Sequence, residues 1–230
     1  MNSACSANWN LHWLHASGDL SEWQTLITEQ VHAARQVVQR LLPAHDLDIL
    51  VQRLQGEVIT ETGLVGYTYR SSLFSLTVDP DNPNFVASLA NGTLLRQIIH
   101  EVHHCLRMAG PGYGRTLGEA LISEGLAGQF VRHLLNSEPE PWECAIDLPS
   151  LLKAPPAHCL LNTRHYDHAA WFFGTTADYP RWLGYSLGYQ LVEHWIEESS
   201  TVSGDKWISV DAETVIAAGV RAGLIGQPIL

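Results

Sequence analysis

The chain has 230 residues, of which 46% are hydrophobic and 16% charged. That is enough to bury a core without disulfide or metal staples, and it excludes a disordered chain. Twenty-four acidic residues against 13 basic ones leave a formal charge of −11, which argues against nucleic acid and anionic membrane surfaces as partners.

The first 25 residues have neither the basic start nor the apolar stretch of a signal peptide, and no apolar run is long enough to span a bilayer. Residues 19–42 predict an amphipathic helix. Leu20, Trp23, Ile27, Val31, Ala34, Val38 and Leu41 fall on one stripe, and Pro43 ends it. Residues 48–54 and 57–60 are rich in Ile, Val and Leu and predict short strands. Gly63 and Gly66 punctuate a turn region before Tyr67–Tyr69. Residues 73–79 alternate, with Phe74, Leu76 and Val78 on one side and Ser75 and Thr77 on the other, as in a half-buried strand. Residues 79–84 form a loop by their turn chemistry.

Everything after residue 90 reads as helix and loop. Helices are expected over 93–108 and 116–135. The proline-bearing stretch 138–178 is expected to be irregular, with short helical pieces. Pro180 suits the first turn of a helix running to about Glu198, and Asp211 suits the cap of a last helix ending near Gly223. Four cysteines, Cys5, Cys105, Cys144 and Cys159, form no C-x-x-C pair. Free thiols in a reducing cytoplasm are the expectation.

Twelve histidines are the compositional excess, and two of them form a motif. His100-Glu101-Val102-His103-His104 matches H-E-x-x-H. On a helix, His100 and His104 lie one turn apart and present two imidazoles to one ion. Glu101, on the flank of that face, can reach a water rather than the metal. Catalytic zinc takes three protein ligands and keeps one open position, so a third ligand is expected downstream. Leu117, Ala120, Leu121, Ala127 and Val131 form an apolar stripe with Glu124 in its middle. A carboxylate on a buried face is costly unless it is paired or bound to a cation. Glu124, 20 residues beyond His104, is therefore the expected ligand. Glu119 points about 140° away from it on the same helix and is expected to be structural or to support a ligand.

An H-E-x-x-H helix followed by a second helix bearing Glu resembles the gluzincin metallopeptidases. More closely, three runs resemble a bacterial family of predicted zinc-dependent proteases, once filed as a domain of unknown function. They are His100 to Arg107, Gly112-Tyr113-Gly114-Arg115-Thr116-Leu117 and Leu121-Ile122-Ser123-Glu124-Gly125-Leu126-Ala127. Trp171-Phe172-Phe173-Gly174 and Gly184-Tyr185-Ser186-Leu187-Gly188-Tyr189 add to the likeness, which covers roughly residues 45–198. The resemblance implies zinc and a peptidase-like fold. One departure is Gly128, where better-known gluzincins often carry an acidic residue supporting a metal histidine.

The fold expected is α+β and mainly helical: a small sheet of two to four strands near residues 45–80, packed on a gluzincin-like helical core. The chain is read as a single domain, with a helix-plus-sheet lobe over 1–90 and a helical metal-site half over 91–230. The function expected is zinc-dependent peptidase action on a peptide or protein substrate. Zn2+ would be held by His100, His104 and Glu124, with Glu101 as general base. Tyr185 is the expected oxyanion donor. Tyr113 is its rival, and Tyr189, His165 and His168 are weaker candidates. The strand at 73–79 is a candidate edge for pairing with an extended substrate.

Two other classes compete. Glu29-x-x-His32 and Glu101-x-x-His104, with Glu119 or Glu124 and Glu193, could make a di-iron carboxylate bundle. A zinc-stabilised binding module without activity is the other.

Overall fold

The computed structural model describes residues 8–43 and 45–228. Cys5 lies outside the described residues, as does most of the extreme N-terminal stretch. Two compact units divide the chain, residues 1–109 and 110–230.

The first unit is built on a four-stranded mixed sheet. Its strands are β1 (Trp9–Trp13), β2 (Leu47–Arg53), β3 (Leu64–Arg70) and β4 (Leu73–Val78), in the order β1-β2-β4-β3. β1 and β2 are parallel, β2 and β4 are parallel, and β3 runs antiparallel to β4. Helix α1 (Gln24–Val38) makes the crossover between the parallel pair β1 and β2, as parallel strands require. It buries Ile27, Val31, Ala34 and Val38 as its stripe predicts. It is shorter at both ends than expected. Asp19 Oδ1 accepts from the amide and hydroxyl of Ser21, at 2.9 and 2.6 Å, and holds the entry off the helix. At the exit the chain turns after Val38, so Leu42 rather than Leu41 is buried.

Three other expectations change here. Residues 57–60 form no strand; only Ile59 bridges, to Leu64. Gly66 does not mark a turn but lies within β3. Residues 73–78 are an interior strand, paired on one side with β2 and on the other with β3. Phe74, Leu76 and Val78 are fully buried, and Ser75 and Thr77 opposite them are nearly so.

A short helix, α2 (Phe85–Ala90), precedes α3 (Thr93–Met108). Asn91 Oδ1 accepts from both the amide and the hydroxyl of Thr93, at 3.0 and 2.7 Å, and starts α3. α3 packs on α1, α2, β3 and β4. Residues 91–108 therefore belong with the sheet rather than with the helical half expected for them, because the apolar face of α3 is buried against those elements.

The second unit is all helical among its described residues. Its elements are α4 (Leu117–Leu135), α5 (Leu148–Lys153), α6 (His168–Phe173), α7 (Leu183–Glu198), α8 (Gly204–Ser209) and α9 (Ala212–Arg221), with a 3-10 turn at His158–Asn162. α4 is its central helix, packing on α7, α8 and α9. Crossing α7 closely requires glycine on both helices. A Cβ at Gly125 would overlap Gly188 O, and one at Gly188 would overlap Leu121 O. α7 begins at Leu183, after Trp182 in a left-handed conformation (φ 70°), and not at Pro180. Asp211 caps α9 as expected, with Oδ1 accepting from the Thr214 amide at 2.7 Å. No described helix is long and apolar enough to cross a membrane.

Candidate metal centre

The first unit supplies the H-E-x-x-H helix. Within α3, His104 and Glu101 are almost wholly buried and His100 is half-buried. The one-turn spacing brings the two imidazoles together. Their Nε2 atoms lie 3.0 Å apart and their rings meet edge to face, with centroids 4.7 Å apart. His103 is fully buried on the same helix.

Glu101 turns toward β3. Its Oε1 accepts from Gln97 Nε2 at 2.9 Å and its Oε2 from Thr68 Oγ1 at 2.8 Å. Gly66 makes the room, because a Cβ there would overlap Glu101 Cγ and Oε1. Cys105 is buried one residue beyond His104, and burial pushes its thiol up to about 12. It is protonated packing, not a thiolate ligand.

The second unit supplies the carboxylates of α4, and they play different parts. Glu119 closes a capping box with Thr116. Its Oε2 accepts from the amides of Arg115 and Thr116, at 2.7 and 2.9 Å, while Thr116 Oγ1 accepts from the Glu119 amide at 3.2 Å. The Arg115 amide in particular holds the Glu119 carboxyl below the usual range. Its part is thus to start the helix. Glu124, 8% exposed, lies inside the unit as its place on the apolar stripe predicts. Tyr113 Oη donates to Glu124 Oε1 at 2.7 Å. Burial, then the charge of Glu124, push the Tyr113 phenol far up, so it stays protonated and able to donate. Ser123 Oγ donates to Tyr113 O at 2.7 Å and fixes the loop that carries it.

Around this pair stand Tyr166, His168 and Tyr185. Burial raises the Tyr166 phenol, and Glu124 raises it further. Burial lowers His168, whose ring stacks on Phe172 at 4.3 Å, although Glu124 and Asp167 pull the other way. Tyr185 meets Phe172 edge-on at 5.0 Å and adds to the upward shift of Tyr113. Tyr189, one turn later, is directed elsewhere. Burial raises its phenol first, and its charged neighbours are Glu143, Arg132 and Glu193. His165 is exposed. Gly128 also finds its reason here: a Cβ there would overlap Glu143 Oε1.

The donors on offer are His100 and His104 in the first unit, with Nε2 atoms 3.0 Å apart, and the buried carboxylate of Glu124 in the second. Two imidazole nitrogens and a carboxylate fit zinc, whose hydrolytic sites use this donor set with a fourth position open. Glu29 and His32, needed for a di-iron centre, are exposed on α1. Sequence reasoning named the three candidate ligands but missed Thr68 and Gln97. The i, i+4 spacing of Gln97 to Glu101 is a signal that could have found one of them. Thr68 left none, being 33 residues away.

No curated protein and no solved structure matches the chain. A sequence family described as predicted Zn-dependent protease (DUF2268) matches residues 23–217. With most of the chain so covered, and with the histidine pair and its carboxylates in hand, the chain belongs to this family of predicted zinc-dependent proteases.

Proposed function

We propose that the chain is a zinc-dependent peptidase whose metal is held by His100, His104 and Glu124. The observation that carries this reading is the pair of imidazoles on α3 with Nε2 atoms 3.0 Å apart, with a buried carboxylate, Glu101, next to the first histidine. Bound zinc lowers the pKa of water and polarises a carbonyl.

The chain's own residues supply the rest. Glu101 takes a proton from the attacking water as the new C–O bond forms, and passes it to the amine nitrogen as the C–N bond breaks. Tyr113, already engaged with Glu124, holds that carboxylate rather than serving as the oxyanion donor. That part falls to Tyr185, on the same aromatic cluster. The extended substrate pairs with β3, the outer strand on the α3 side of the sheet. β4, expected for this part, has both edges taken.

The partner in this reading is a peptide or protein, and the formal charge of −11 disfavours nucleic acid and anionic membrane surfaces. The cytoplasm is the proposed location, since Cys105, Cys144 and Cys159 are all free.

The test is metal content and hydrolysis of a broad peptide library, with Glu101→Gln beside the wild type. The wild type should hold about one zinc per chain and cleave peptides. Glu101→Gln should keep zinc and fold yet lose roughly 10²–10⁴-fold in rate. A variant that cleaves as fast as the wild type would remove Glu101 from the mechanism. A zinc-loaded wild type that cleaves nothing would leave a metal-stabilised binding module instead.

A further inference from the structure

We propose that Thr68 and Gln97 are positioning residues that fix the carboxylate of Glu101, so that β3 sets the aim of the general base. The inference rests on the reading of Glu101 as that base.

A glutamate on a helix turns about three side-chain bonds, and burial alone does not select one orientation. Here two elements do. Gln97 comes from one turn earlier on α3 and reaches Oε1 at 2.9 Å; Thr68 comes from β3 and reaches Oε2 at 2.8 Å. Each carboxylate oxygen thus has its own donor, from a different direction. Both donors are neutral, an amide and a hydroxyl. An ionised carboxylate has about four acceptor sites; these two bonds leave room for a water proton.

The strand enforces the arrangement further. Gly66 and Thr68, two residues apart, point to the same face of β3. At Gly66 the missing side chain admits Glu101 Cγ and Oε1; at Thr68 the hydroxyl holds the far oxygen. Thr68 Oγ1 also lies 3.1 Å from the Glu101 carbonyl oxygen. Its single proton serves one acceptor at a time, and the carboxylate oxygen, at 2.8 Å, is the closer one. Sequence alternation on β3 therefore makes a seat for Glu101: space, then a donor.

The experiment uses the zinc-loaded full chain with Thr68→Val, Thr68→Ser, Gln97→Leu and Glu101→Gln. Valine keeps the branched shape and removes the hydroxyl; serine restores the hydroxyl. Thr68→Val should lower kcat roughly 10–100-fold with KM and zinc content unchanged, and Thr68→Ser should recover most of that loss. In the Glu101→Gln background, Thr68→Val should cost nothing more, because the group it positions is gone. Should Thr68→Val fail to fold, Gln97→Leu on the helix carries the same test. Crystal structures of the variants give a readout independent of activity: the Glu101 carboxylate should leave its wild-type orientation. A carboxylate that stays in place in both variants overturns the proposal, as does an undiminished kcat. If the wild type cleaves no peptide, the peptidase reading fails by itself, and the crystal structures still decide the positioning.

Discussion

Helices α3 and α4 both bury acidic residues, and they do so by different means. On α3, one face packs against the sheet, and Glu101 is satisfied from outside the helix by a strand hydroxyl and from within by Gln97. On α4, almost every residue from Leu117 to Val131 is buried. Its two carboxylates divide the tasks. Glu119 takes three donors from Arg115 and Thr116, just before the first turn of its own helix, and Glu124 meets the phenol of Tyr113. The comparison teaches that a buried carboxylate's role is read from its donors. Backbone amides at the helix entry mark a capping box. Side-chain donors brought from distant elements mark a group whose direction matters.

The two helices also meet glycines of neighbouring elements differently, Gly66 of β3 against α3 and Gly188 of α7 against α4, and this gives the largest expected effect. At Gly188 a Cβ would meet the backbone of Leu121, which has no side chain to swing aside. At Gly66 it would meet the Glu101 side chain instead. Gly188→Ala should therefore destabilise the protein by about 3 kcal/mol or more, read as a drop in denaturant midpoint. Gly66→Ala should cost far less stability while abolishing most hydrolysis. Equal loss of stability in the two variants would erase the distinction.

The cap gives a smaller effect. Thr116→Ala removes the hydroxyl that accepts from the Glu119 amide and should cost about 1 kcal/mol. The partner carboxylate adds a pH dependence. Glu119 has its folded pKa lowered, chiefly by the Arg115 amide. Such a group adds stability above its unfolded value, near the ordinary 4.5, and loses it as pH falls through the lowered folded value. The thermal midpoints of wild type and Glu119→Gln should thus differ at pH 6 and converge toward pH 3. A gap that widens on acidification would contradict the assignment.

Much of this was legible in the sequence. The 3.6-residue period exposed α3 and α4, and H-E-x-x-H placed His100, Glu101 and His104 on one helix. Glu124 stood out because an acidic residue interrupted an apolar stripe. What stayed hidden depends on tertiary contact. β1, with five residues, is too short for its pattern to speak, and so are α2 and α8 with six each. Gly66 reads as a turn because a glycine's use as space for a distant side chain leaves no local mark. Residues 57–60 have strand composition but no strand partner beyond the Ile59 bridge. Tyr113 and Tyr185 could be ranked only once the 2.7 Å bond from Tyr113 to Glu124 was visible.

The central claim is that Glu124 is a metal ligand and Glu101 is not. Competitive titration of zinc against a chelator, on the wild type and on Glu124→Gln, tests it most directly. The account predicts about one zinc per wild-type chain and an affinity at least roughly tenfold weaker in Glu124→Gln, since an anionic ligand becomes neutral. Glu101→Gln, titrated alongside, should match the wild type. Wild-type affinity in Glu124→Gln, or lost affinity in Glu101→Gln, would contradict it.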